Sequence, residues 1–106
     1  MTITSEVSSD GLQVSIKVHG RFDFTAHQSF REACDRVPRG QANYLIDMSQ
    51  ADYIDSAALG MLLLLREQAG GDSARIRIRG CSQDVQRILE VSKFHKLFDI
   101  EEASPV

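Results

Sequence analysis

One serine stands where a reversible modification would have a large local effect. Ser56 follows Asp55 and precedes a mostly apolar run over residues 57–65, which predicts that a helix begins here. A serine hydroxyl can satisfy a free backbone N–H group at a helix start, so the simplest interpretation is a helix cap. The same position also suits a phosphate, because the helix dipole and the free N–H groups favour an anion. A phosphate would add about 1.5 to 2 negative charges beside Asp55.

The other reactive side chains lack a pattern for catalysis or metal binding. The three histidines are scattered, with no Glu or Cys at ligand spacing, which argues against a metal site. Ser56 has no G-x-S-x-G context, and no histidine is marked out as its base. Cys34 and Cys81 lie in no CxxC pattern and are expected to be free thiols. We therefore expect a protein that is not an enzyme and that has no metal and no cofactor.

The bulk properties set further limits. The 106 residues suit one core, so we expect a single domain over residues 1–106 and a monomer when free. The net charge of −3 argues against nucleic acid, whose binding normally needs a strong basic footprint. The most apolar run is far shorter than the roughly 20 residues of a membrane helix, and the N-terminus has no secretory signal pattern. A cytoplasmic protein with no membrane association is expected.

The first half of the chain predicts two strands and a helix. Residues 2–7 form a short strand, and residues 12–19 alternate apolar with polar side chains, as a strand with one buried face does. Thr25 is the expected cap of a helix over residues 26–36, which Pro38 and the glycine two residues later would end.

The second half places Ser56 between a strand and a helix. Residues 43–48 have an unbroken apolar centre, which predicts a strand covered on both faces. A helix over residues 57–68 follows, then an alternating strand over residues 75–79. Ser82 caps a helix that ends near Val91, and a short helical turn follows it. This order predicts an α/β fold: a mixed, mostly parallel sheet of about five short strands, with three to four helices crowded on one face.

The helix after Ser56 carries more apolar residues than one buried face needs. At about 3.6 residues per turn, Leu59 and Leu62 share one side, and Met61 and Leu64 lie on another. If the first pair faces the sheet, the second pair remains near solvent beside Ser56. An exposed apolar patch of this kind usually marks a protein contact. The alternative is that the second pair packs under a neighbouring loop.

Residues 53–63, YIDSAALGMLL, resemble the F-I-D-S-S-G-L-G-x-L-L signature of STAS domains, the group of the anti-sigma factor antagonists. The likeness continues in GRFD at 20–23, similar to the family's G-x-L-D, and in LIDMS at 45–49, similar to its L-D-L-S. Residues 82–98 are similar to its closing V-x-x-x-L…L-F pattern, so the resemblance covers nearly the whole chain. Ala57 and Ala58 stand where the signature has Ser and Gly, which puts in doubt whether the partners of better-matched relatives would bind.

The resemblance implies partner switching. An unphosphorylated member binds an anti-sigma factor, commonly a serine kinase, and so frees a sigma factor. The kinase then phosphorylates the serine that corresponds to Ser56, the complex dissociates, and a serine phosphatase resets the switch. Asp23 would lie close to Ser56 and influence it, or would be only a turn residue after the second strand. The implied partner surface consists of acidic, small and apolar residues: Asp23, Asp55, Ser56, Ala57, Gly60, Met61 and Leu64.

A second interpretation stays within the same fold. Some STAS domains do not switch and serve as fixed subunits of a protein complex, such as a lipid-transport ATPase. The serine at position 56 argues against that class.

Overall fold

The strands form one sheet whose spatial order is their order in the sequence. The computed structural model describes residues 2–37 and 42–101, and these contain five strands. β1 pairs antiparallel with β2, and every later pair of neighbours is parallel. The strands are β1 (Thr2–Val7), β2 (Gln13–Phe22), β3 (Asn43–Ile54), β4 (Ile76–Arg79) and β5 (Asp99–Ile100).

Helices connect the parallel strands and cover one face of the sheet. In the described residues these are α1 (His27–Cys34), α2 (Ser56–Gln68) and α3 (Gln83–Val91). Buried residues alternate with exposed or half-buried ones along β4 and along the first parts of β2 and β3, up to Val18 and Met48. The core therefore lies between one sheet face and the helices, which confirms the predicted α/β fold. Of the helices that the structure describes, none is long and apolar enough to cross a membrane.

Three boundary predictions are wrong. β3 is six residues longer than predicted and is buried on one face only, because Leu45 and Asp47 point to the open face and are just half-buried. Thr25 does not cap α1, since a 3₁₀ turn (Phe24–Ala26) comes first and the Asp23 carboxylate caps that turn. β2 begins at Gln13, one residue later than predicted, and Leu12 is exposed. The predicted stop at residues 38–40 lies outside the described residues.

The C-terminal half follows the sequence prediction closely. The Ser82 hydroxyl accepts a hydrogen bond from the Val85 N–H group at 3.2 Å and caps α3, as expected. Ile76 and Ile78 are buried while the arginines beside them face solvent. A 3₁₀ turn (Phe94–Lys96) buries Phe94 and leads into the two-residue β5. β5 completes the predicted sheet of about five strands, although no sequence pattern marks its position.

Candidate functional site

The neighbouring strands β2 and β3 end side by side and bring two acidic residues to the same end of the sheet. In the parallel register of β2 and β3, Phe22 lies opposite Ile54, and the Asp55 N–H group donates to the Phe22 carbonyl at 3.3 Å. Asp23 follows Phe22 and Asp55 follows Ile54, on neighbouring strands whose backbones lie about 5 Å apart. Ser56 comes next and begins α2. The strand register therefore places Asp23 at the same end of the sheet as Ser56.

The start of α2 is held by Asp55 and not by Ser56. The Asp55 carboxylate accepts a hydrogen bond from the Ala58 N–H group at 3.0 Å, and the Asp55 backbone is extended, as in a helix cap. Ser56 is the first helical residue, so the prediction that it caps the helix is wrong. Its side chain is exposed and makes no hydrogen bond to the residues that the structure describes. The hydroxyl is thus not required by the fold.

The Asp23 carboxylate binds the turn that follows β2 and also pairs with Arg21 on that strand. Its Oδ1 accepts hydrogen bonds from the N–H group of Thr25 at 3.0 Å and from the Thr25 hydroxyl. Its Oδ2 lies 3.6 Å from Nε of Arg21. The Thr25 hydroxyl is the main reason that the pKa of Asp23 falls below its usual value, and Arg21 adds to the shift. Asp23 is therefore a fixed, ionised carboxylate with a role in the turn, which confirms one of the two interpretations offered by the sequence. Its influence on Ser56 stays a prediction.

An aromatic and cationic pair borders the site on the open face of the sheet. The Arg21 guanidinium carbon lies 4.0 Å from the centroid of the Tyr53 ring, and the two residues are partners in the β2–β3 register. Arg and Tyr are frequent in the energetic centres of protein interfaces. Sequence reasoning missed this pair because its members are 32 positions apart and meet only once the strands are in register.

The buried and exposed faces of α2 differ from the prediction. The buried stripe contains Ala58, Met61, Leu62 and Leu65, the i, i+3, i+4, i+7 spacing of one helix face. Met61 is 4% exposed, so the expectation that it lies near solvent is wrong. It lines a groove of about 210 Å³ between α1 and α2. Leu59, expected to face the sheet, is only half-buried.

Two leucines on α2 and one phenylalanine nearby remain in solvent. Leu64 is 57% exposed, as predicted, and the neighbouring Leu63 is also exposed. Phe24, directly after Asp23, is 71% exposed, and the 3₁₀ turn that it begins contacts α2. The sequence does not reveal Phe24 as exposed, because phenylalanine is among the residue types most often buried. We call Ser56, Phe24, Leu63 and Leu64 the serine patch.

The cysteines are placed for packing. Both Cys34 and Cys81 are buried free thiols. Burial raises the pKa of Cys34 to about 12 and that of Cys81 to about 11. The reactive thiolate form is therefore scarce at neutral pH.

A family comparison decides what kind of domain this is. The family model described as "Mlab, STAS domain" matches residues 5–100. The chain belongs to the STAS domain family. A STAS-domain containing protein of Pseudomonas aeruginosa (strain UCBPP-PA14) is 50% identical over 100 residues, which cover 94% of this chain and 99% of the relative.

Solved structures extend the comparison. A STAS domain from Rhodobacter sphaeroides, described as an antisigma-factor antagonist, is 28% identical over 74% of this chain and 85% of its own, with a TM-score of 0.56. The Bacillus cell fate determinant SpoIIAA in its phosphorylated form is 13% identical over 95% of this chain and 92% of its own, with a TM-score of 0.65. At that identity the second likeness concerns the fold alone.

Proposed function

We propose that this STAS domain is an anti-sigma factor antagonist in a phosphorylation-controlled partner switch. The unphosphorylated chain binds an anti-sigma factor that is also a serine kinase, and phosphorylation of Ser56 releases it. A serine phosphatase restores the hydroxyl. The chain works in the cytoplasm, and its output is regulation of transcription.

The observation that carries the proposal is the exposed Ser56 hydroxyl, which has no role in holding α2 together. Asp55 already caps the helix, so modification of Ser56 costs the fold no hydrogen bond. The free N–H groups of the first helical turn stabilise an anion there. The likeness to the Rhodobacter antagonist and the phosphorylated state of a protein with the same fold support this assignment.

The serine patch explains how a phosphate would act on a partner. Exposed Leu64 lies about two turns after Ser56 on α2, and exposed Phe24 begins the turn that contacts this helix, so both offer apolar contact area to a partner that covers the neutral hydroxyl. A phosphate at Ser56 adds about 1.5 to 2 negative charges beside the carboxylates of Asp23 and Asp55. A partner that buries this surface must then desolvate an uncompensated charge. The chain itself leaves the phosphate in water, so only the complex is destabilised.

Gly60 gives a way to separate docking from folding. It lies inside α2, where glycine costs about 1 kcal/mol relative to alanine. Apart from its chain neighbours and the nearby backbone of α2, a Cβ added at Gly60 would meet no atom of the described residues within 4 Å. No packing contact thus requires a glycine here, whereas a close approach by the partner would.

Gly60→Ala should therefore raise the free energy of unfolding by about 0.5 to 1 kcal/mol and weaken kinase binding. Urea denaturation measures the first quantity and calorimetric titration with the kinase the second. Full binding by this stabilised variant would remove Gly60 from the partner surface.

The direct test of the proposal is phosphorylation by the partner itself. Affinity capture with wild type and Ser56→Asp side by side identifies the kinase as a protein that only wild type retains. Incubation of wild type with that kinase and ATP should add one phosphate, and Ser56→Ala should abolish it. Ser9→Ala, at an exposed turn serine near the opposite end of β2, should leave the reaction unchanged. Phosphate on another residue would rule out the Ser56 assignment.

A second candidate function is a fixed STAS subunit of a complex such as a lipid-transport ATPase. The observation that favours it is the matching family model, whose description is "Mlab, STAS domain" and mentions no antagonist. It predicts capture of a transporter ATPase equally well by wild type and Ser56→Ala, with no phosphate on the chain.

A further inference from the structure

The outer side of β1 is an open edge of the sheet. β1 is the first strand in the order, and among residues 2–37 and 42–101 only β2 pairs with it. An edge strand carries a row of unpaired backbone groups that can template another strand. The Ser5 carbonyl accepts a hydrogen bond from Arg36, so it points away from β2. By the alternation of an antiparallel pair, Ile3, Ser5 and Val7 present their N–H and C=O groups outward.

Arg36 is the side chain that occupies this edge. It follows α1 and reaches across 31 positions of the chain, with Nη1 2.8 Å from the Ser5 carbonyl oxygen and 3.0 Å from Ser5 Oγ. β1 has the sequence TITSEV and carries no lysine, arginine or proline, the usual residues that protect an edge. Among the residues that the structure describes, one guanidinium group thus covers the centre of this outer edge.

We propose that the outer edge of β1 is a strand-addition surface for a second copy of this chain, and that Arg36 holds it closed. The register of β1 makes the surface self-complementary. In an antiparallel β1–β1 pair centred on Ser5, each Ile3 lies opposite the Val7 of the other copy. Both side chains are only partly buried in the single chain, so pairing covers them. Glu6 lies opposite Thr4, so no like charges meet.

Arg36 blocks the central contact of that pair. The two outward-facing Ser5 residues would exchange N–H···O bonds on the symmetry axis. The guanidinium instead holds the Ser5 carbonyl through a charge-assisted hydrogen bond. Because one short strand buries less area than a standard interface, association is weak and depends on that one group. This surface is separate from the Ser56 site, and the inference does not rest on the proposed function.

The test is the oligomeric state of Arg36→Ala, measured by sedimentation velocity up to about 0.5 mM chain. Wild type should stay monomeric, and Arg36→Ala should associate at least about tenfold more tightly. Amide exchange at Ser5 should become slower as the concentration of the variant rises. If circular dichroism shows that Arg36→Ala does not fold, Arg36→Gln takes its place.

Two variants separate edge pairing from a loss of charge. Arg31→Ala removes a cation from α1 whose ion-pair partner is Asp35, also outside the strand, and should remain monomeric. Arg36→Ala combined with Ser5→Pro should return to monomer, because proline removes the N–H group that points outward and no N–H group that pairs with β2. A monomeric Arg36→Ala, equal association by Arg31→Ala, or dimers of wild type through β1 would each overturn the proposal.

Discussion

Ser56→Asp should weaken binding of the anti-sigma kinase by at least about tenfold, while the free energy of unfolding stays within about 0.5 kcal/mol of wild type. The two effects separate because the carboxylate lies in water on the free chain and is desolvated in the complex. The N-terminal end of α2 also favours the new charge. Calorimetric titration with the kinase and urea denaturation of the free variant measure the two quantities.

Two controls isolate charge and position. Ser56→Asn has nearly the same shape as the aspartate variant but no charge, so it should bind far better than Ser56→Asp. Ser9→Asp adds the same charge in the turn before β2, near the opposite end of that strand, and should leave affinity unchanged. If Ser56→Asn and Ser56→Asp lose the same affinity for the kinase, the size of the side chain and not its charge is the cause. Full affinity of Ser56→Asp would contradict the charge-based switch.

The fold was largely predictable in the strands where apolar and polar residues alternate, because residue type there indicates which side chains face the core. The alternation in β2 and β4 predicts which residues enter the core, because successive strand side chains point to opposite faces. Val14 and Ile16 are fully buried as that pattern requires. Ser82 was predictable as a cap because no second cap former stands beside it at the start of α3.

The site was predictable only in part, because neighbouring residues competed for the same role. Asp55 and Ser56 are both good cap formers, and the sequence does not say which one takes the extended conformation. The carboxylate does so here, which leaves the serine free. The sequence also left open which apolar stripe of α2 faces the core; the stripe through Ala58, Met61 and Leu65 does so, and Met61 is buried. The Arg21–Tyr53 contact depends on strand register, which a single sequence does not reveal.

Phe22 and Phe24 are the same residue type two positions apart, and we expect opposite effects when each is changed to alanine. Phe22 has no solvent exposure, and its ring centroid lies 5.3 Å from that of Phe30 on α1. Its backbone carbonyl also holds the N–H group of Asp55. Phe22→Ala should lower the free energy of unfolding by about 3 to 5 kcal/mol, through lost burial and a cavity. That loss is a large share of the roughly 5 to 15 kcal/mol of a typical domain.

Phe24→Ala should change stability by less than about 0.5 kcal/mol, because its ring is mostly in water already. It should weaken kinase binding instead, by about tenfold or more if the ring is an anchor of the interface. Urea denaturation and calorimetric titration on both variants give the comparison, with Phe22→Leu as a milder core change. A Phe24→Ala variant that binds normally would exclude this ring from the partner surface. A strongly destabilised Phe24→Ala would show instead that the turn before α1 depends on the ring, and its binding loss would then say nothing about contact.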